Sequence, residues 1–135
     1  MRGRAAKAVA LGVLILGFAW GTFTHALDFM TFGWMPYRIA GPAMNAFWNA
    51  LVFLDAIVLA LLLSPLRRCA LVAAALLMIA DVGVNSYAAF ALDIPGFAVG
   101  VAFQAAFLGF ILGSLPVFWP AADRRLRSDV PFPAP

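Results

Sequence analysis

Charge is what this sequence has least of. Only 11% of its 135 residues are Asp, Glu, Lys or Arg, against about 25% in an average soluble domain. Glutamate is missing altogether, and six aspartates make up the acidic set. The one cysteine, Cys69, excludes an internal disulfide and a CxxC redox or zinc site. The one histidine, His25, excludes a pair of haem-ligating histidines. There is no phosphate-binding loop, no HExxH and no nucleophile elbow. What fills the chain instead is apolar: 65% of all residues, 14% aromatic. A soluble domain this short leaves much of its surface exposed and cannot hide that much apolar area. The composition argues against a soluble enzyme, a disordered tail or a nucleic-acid module. It points to an integral membrane protein whose first partner is the lipid bilayer. Nothing in it asks for a cofactor.

Four apolar runs carry most of the chain, at about residues 8–27, 42–64, 69–92 and 96–119. Each holds about 20 residues or more, enough at about 1.5 Å per residue to cross a hydrocarbon core of about 30 Å. Turn-forming residues separate them. Gly41-Pro42 opens the second run and Ser64-Pro65 closes it. Asp93, Pro95 and Gly96 lead into the fourth, and Pro116 and Pro120 end it. In lipid each backbone group must be satisfied within its own segment, so the runs are expected to be helices. The fold class is therefore all-α: an integral membrane four-helix bundle in one transmembrane domain, 1–135. No internal repeat is convincing. The tail 120–135, with prolines at 131, 133 and 135, is expected to be flexible.

Basic residues set the orientation. Arg2, Arg4 and Lys7 precede the first run, Arg67 and Arg68 join the second to the third, and Arg124, Arg125 and Arg127 follow the fourth. Only Arg38 falls on the other side. By the positive-inside rule both termini are cytoplasmic, as in a bacterial inner membrane. The loop 28–41 and the turn at Asp93 then face outward. Trp34, Tyr37 and Trp48 are placed for an aromatic belt at the outer face, and Trp119 at the inner. A second reading of the N-terminus stays open. Its basic start, apolar run and Thr24-His25-Ala26 also fit a cleaved signal peptide, which would leave three spans. Cys69 reads as a small helix-end residue, with reversible palmitoylation as the alternative. Gly17 with Gly21, Gly96 with Gly100, and Gly109 with Gly113 have the spacing that lets helices approach closely. On the fourth run it also fits a homo-oligomer contact.

The polar residues inside the runs carry the functional argument. Asp55 lies 13 residues into the second run and Asp81 lies 11 residues before Leu92. That places them roughly 20 and 17 Å from the outer face. Asn49 and Asn85 share a depth of roughly 11 Å, with Gln104 near that level. Asn45 and His25 lie nearer the surface. Asp81 and Asn85, four apart, share one helix face, as do Asn45 and Asn49. A carboxylate at the bilayer centre costs about 2.5–3.5 kcal/mol on insertion scales. No Lys or Arg lies within the runs to offset it. Each acid must then carry its own proton, face water in a cavity, or meet a cation that is not part of the fold. Interhelical hydrogen bonds average only about 0.6 kcal/mol in membranes. Amides suit that purpose; acids suit it poorly. Asp55 and Asp81 are therefore the candidate catalytic pair, binding a proton or a cation. Candidate ligand contacts are His25, Asn45, Trp48, Asn49, Asn85, Tyr87 and Gln104, with the amides equally open to a packing role. Asp28 and Asp93 read as loop acids. A metal site from His25, Asp28, Asp55 and Asp81 is set aside, because their depths differ by roughly 10 Å or more.

His25 and Asp28 end the first run, Phe47-Trp48 precedes Asp55 in the second, and Asp81 stands with Asn85 in the third. This plan resembles the EXPERA-type family of emopamil-binding and sigma-2 receptor-like proteins. The resemblance covers the order of elements over most of the chain. The family's long first loop and intramembrane Glu have no counterpart here. It implies a four-helix membrane bundle with acidic and histidine side chains around a pocket for sterols or lipophilic amines. Small multidrug exporters also have four short spans, but carry a Glu in mid-span where this first run has no acid before Asp28. The expectation is an outward-facing polar pocket that binds, transports or isomerises a small lipophilic or cationic molecule. The alternative is an accessory subunit or scaffold of a larger membrane complex.

Overall fold

The computed structural model describes residues 2–119, and over them the chain is all-helical. The tail expected to be flexible, with Arg124, Arg125 and Arg127, lies outside the described residues. Four helices follow in order: α1 (Arg2–Phe32), α2 (Gly41–Leu63), α3 (Arg67–Phe90) and α4 (Phe97–Phe118). A 3-10 turn at Arg38–Ala40 precedes α2. All four helices are long and apolar enough to cross a membrane.

Most helix ends follow from the residues that mark them. Pro42 sits in the first turn of α2, where its missing N–H costs nothing. After α2, Ser64 Oγ donates to the Leu61 carbonyl at 2.8 Å and accepts the Leu66 N–H at 3.0 Å, turning the chain into α3. Between α3 and α4, Asp93 and Gly96 take left-handed backbone at φ 49° and 87°. The Ile94 N–H folds back onto the Ala88 carbonyl at 3.0 Å. Pro116 does not end α4 as expected. It removes one bond near the end of the helix, yet the Trp119 N–H still reaches the Leu115 carbonyl at 3.1 Å.

The largest departure is in α1. Its apolar run stops near residue 27, but nothing from Asp28 to Phe32 breaks a helix. Gly33, left-handed at φ 72°, is the first residue that does, and its N–H closes on the Phe29 carbonyl at 2.9 Å. His25 and Asp28 therefore lie inside the helix, not at its end.

α1 packs along α2 and α3 along α4, α2 and α3 meet between them, and of these neighbouring pairs α1 and α4 touch least. Two apolar cores result. Near the basic end, which carries Arg4, Lys7, Arg67 and Arg68, Leu14, Phe18, Leu62, Leu71 and Ile111 are enclosed. Ala70, Ala74 and Ala75 keep α3 thin there. Near the loop end, Trp48, Leu51, Ala88 and Ile94 form the second core. Asp55, Asp81 and Asn85 are buried in a layer between the two. Leu16, Trp20, Phe53, Leu76 and Phe103 point outward and are largely exposed. A surface of that kind suits a hydrocarbon solvent. Of the spaced glycine pairs, only Gly17 and Gly21 pack inside the bundle. A Cβ on Gly17 would meet the Phe107 ring and one on Gly21 the Asp55 carboxylate. Gly96, Gly100, Gly109 and Gly113 face open space.

Candidate functional site

All four helices contribute to the polar layer. α1 brings His25, α2 brings Trp48 and Asp55, α3 brings Asp81 and Asn85, and α4 brings Gln104. Asn85 is the hub. The Trp48 Nε1–H, which can only donate, gives its hydrogen to Asn85 Oδ1 at 2.7 Å and so fixes the amide's orientation. Asn85 Nδ2 then donates to Asp81 Oδ1 and to Gln104 Oε1, both at 3.0 Å.

Asp55 is held differently. Among the described residues it makes no hydrogen bond, and its Oδ2 stands 4.0 Å from His25 Nε2. No described side-chain N or O is both enclosed and unpartnered, so the free Asp55 oxygens open onto space. That space is a cavity of about 390 Å³. His25, Asp55, Asp81 and Gln104 form its polar side, and Trp20, Phe103 and Phe107 its apolar side. Trp20 and Phe103 are among the most exposed side chains of α1 and α4. The cavity thus sits at the seam where those two helices touch least.

A second cavity, of about 340 Å³, lies toward the loop end and is bordered by Asp28, Tyr37, Trp48, Asn49 and Phe97. His25, Gly100 and Gln104 border both cavities. The rings of Tyr37, Trp48 and Phe97 pack mutually, with centroids 4.8, 4.9 and 5.2 Å apart. Burial, and then the charge of Asp28, hold the Tyr37 phenol above its ordinary value, so it stays neutral there.

The chain matches no family model, no curated protein and no solved structure. Function must therefore be argued from the site.

Several residues expected at the site are brought together: Asp55 and Asp81 on one cavity, with His25 and Gln104, and Asn85 and Trp48 behind them. Three expectations need correcting. His25 was expected well above Asp55 and instead stands beside it, in the body of a helix that runs on to Phe32. Trp48 was expected in an aromatic belt and is only 4% exposed, since its N–H is drawn inward to Asn85. Tyr87 is turned away, 57% exposed. Two residues beyond Asn85, it is rotated by about 200° around the helix.

Asn45 and Asn49 serve the loop. Asn45 accepts the Tyr37 N–H at 3.1 Å and donates to the carbonyls of Tyr37 and Gly41 at 2.9 and 2.8 Å. Asn49 donates to the Trp34 carbonyl at 2.8 Å while also bordering the second cavity. Asp28 was passed over as a loop acid. It stands three residues beyond His25 on the same helix, a spacing that shares a face and marks the second cavity. Although His25 and Asp55 are level, no group of three or more His, Cys, Asp or Glu among the described residues is placed to hold a metal ion.

Two kinds of chemistry suit this arrangement. Two carboxylates with no Lys or Arg of the described residues on their cavity can hold a cationic group. His25 and Asp55, at 4.0 Å, can exchange a proton through a small shift or one water.

Proposed function

We propose that the protein binds a small lipophilic molecule carrying a cationic or protonatable group, as a binder, transporter or lipid isomerase. The molecule enters from the bilayer between α1 and α4. Its charged group meets Asp55 and Asp81, and its apolar body lies against Trp20, Phe103 and Phe107. The protein sits in a bacterial inner membrane with its basic end in the cytoplasm. The observation that carries this reading is that Asp55, without a hydrogen bond among the described residues, shares one laterally placed cavity with Asp81 and His25. In plan it remains similar to the EXPERA-type pocket for sterols and lipophilic amines.

The test is equilibrium binding of a fluorescent long-chain tertiary amine to the protein in nanodiscs. Asp55→Asn and Asp81→Asn should each weaken binding at least about tenfold, as expected when one partner of a buried charge contact is removed. The matching long-chain alcohol should bind wild type and variants alike. Amine affinities unchanged in both variants would rule out this role for the acids.

A second reading, an accessory subunit of a membrane complex, draws on α4. Its Gly109 and Gly113 face open space beside exposed Phe110 and Leu112. Stoichiometric recovery of a partner in mild detergent would support it.

A further inference from the structure

A different cavity lies at the basic end, away from the polar layer. Arg4 and Lys7 from the start of α1, and Arg67 and Arg68 from the start of α3, converge on a hollow of about 630 Å³. Leu11, Leu66 and Phe118 line it with apolar surface. No carboxylate of the described residues borders it. Orientation in a membrane accounts for basic residues at this end. It does not account for four of them, from two helices, around one hollow with an apolar wall. Like charges held together repel unless an anion sits among them. The first turn of α3 borders the same hollow, and among the described residues no side chain caps its N–H groups. Arg68 also lies over the Trp119 ring, 5.7 Å from its centroid. That pairing suits the headgroup level, where an amphipathic ring has one apolar and one wet side.

We propose that this cavity holds the phosphate of an anionic phospholipid of the surrounding leaflet. The basic side chains meet the phosphate, and an acyl chain lies along Leu11 and Phe118. The apolar wall is what favours a lipid over a free phosphate ion. The inference rests on the membrane reading of the four helices and is independent of the amine site.

Cys69, the only thiol in the chain, borders this cavity and is exposed. Its labelling by a neutral maleimide therefore reports occupancy without an engineered residue. The experiment titrates full-length protein in non-ionic detergent with phosphatidylglycerol, phosphatidylcholine or inorganic phosphate. Phosphatidylglycerol should slow labelling saturably, and the other two should not. Each basic residue near a membrane surface strengthens anionic-lipid binding about fivefold. The double variant Arg4→Gln/Arg67→Gln should then need about 25-fold more phosphatidylglycerol for half-protection. Arg38→Gln, which removes one charge at the opposite end, should behave as wild type. A helical circular-dichroism spectrum and a melting temperature matching wild type show that the double variant is folded. Equal protection by phosphatidylcholine, equal protection by phosphate alone, or equal weakening in Arg38→Gln would each overturn the proposal.

Discussion

One amide side chain ties three helices together when all its polar atoms are used. Asn85 on α3 accepts from Trp48 on α2 and donates to Gln104 on α4, besides bonding Asp81 on its own helix. Three bonds at about 0.6 kcal/mol each sum to about 2 kcal/mol. Asn85→Leu keeps the number and branching of the side-chain heavy atoms but leaves the buried Trp48 N–H without its acceptor. It should destabilise the bundle by about 2 kcal/mol in equilibrium unfolding from mixed micelles. Tyr87→Phe, two residues on and exposed, should change stability by less than about 0.5 kcal/mol. Equal effects would mean that the amide hub does not hold the bundle. Part of this hub was legible in the sequence. Asp81 and Asn85 are four apart, and helical geometry alone puts them on one face. The links from Asn85 to Trp48 and Gln104 were not legible, because spacing along one helix does not give the rotation of its neighbours. Tyr87 is close to Asn85 in sequence, but two residues along a helix turn it to a different face. Asn45 and Asn49 bond chiefly to loop carbonyls, which carry no side-chain signature.

At the scale of the element, hydropathy locates a span better than it locates the ends of the helix. All four runs were found, but α1 extends beyond its run at both ends. Its 31 residues measure about 46 Å at about 1.5 Å per residue, against a hydrocarbon core of about 30 Å. The residues beyond the run carry enough polarity to leave lipid and no breaker to stop the helix. That extension takes His25 from a helix end into the body of the helix, where it stands 4.0 Å from Asp55. The weak seam between α1 and α4 had no clear signal in the sequence, since beyond isolated polar residues such as His25 and Gln104 both helices are apolar nearly all round. Gly100 on α4 offers a way to test it. It borders both cavities, and a Cβ there meets nothing within 4 Å. Gly100→Phe should fill the seam without a clash and leave the melting temperature unchanged or slightly raised, since glycine is the poorer helix former. Binding of the long-chain amine and of its alcohol analogue should both fall at least about tenfold. This differs from the aspartate variants, which should spare the alcohol. A stable Gly100→Phe protein that binds both probes normally would place the ligand elsewhere.

For the whole molecule, the two ends differ in charge before any ligand is considered. Arg4, Lys7, Arg67 and Arg68 gather at one end, while the 3-10 turn at the other carries Arg38. An even number of spans returns the chain to the side from which it started, so one loop reports the orientation of all four helices. The loop between α2 and α3 is best suited, because it leads directly into exposed Cys69. Short loops rich in Arg and Lys stay cytoplasmic, since carrying them across an energised membrane is disfavoured. A membrane-impermeant maleimide should therefore label Cys69 in inside-out vesicles and leave it unlabelled in intact spheroplasts. Arg38→Cys, made together with Cys69→Ser, should give the opposite pattern. Labelling of Cys69 from outside, with the Arg38→Cys thiol protected, would invert the bundle. The amine cavity would then lie nearer the cytoplasmic leaflet, and the basic cavity would face lipids of the outer one. The fold and both cavities would stand as described, but the direction from which each ligand arrives would be reversed.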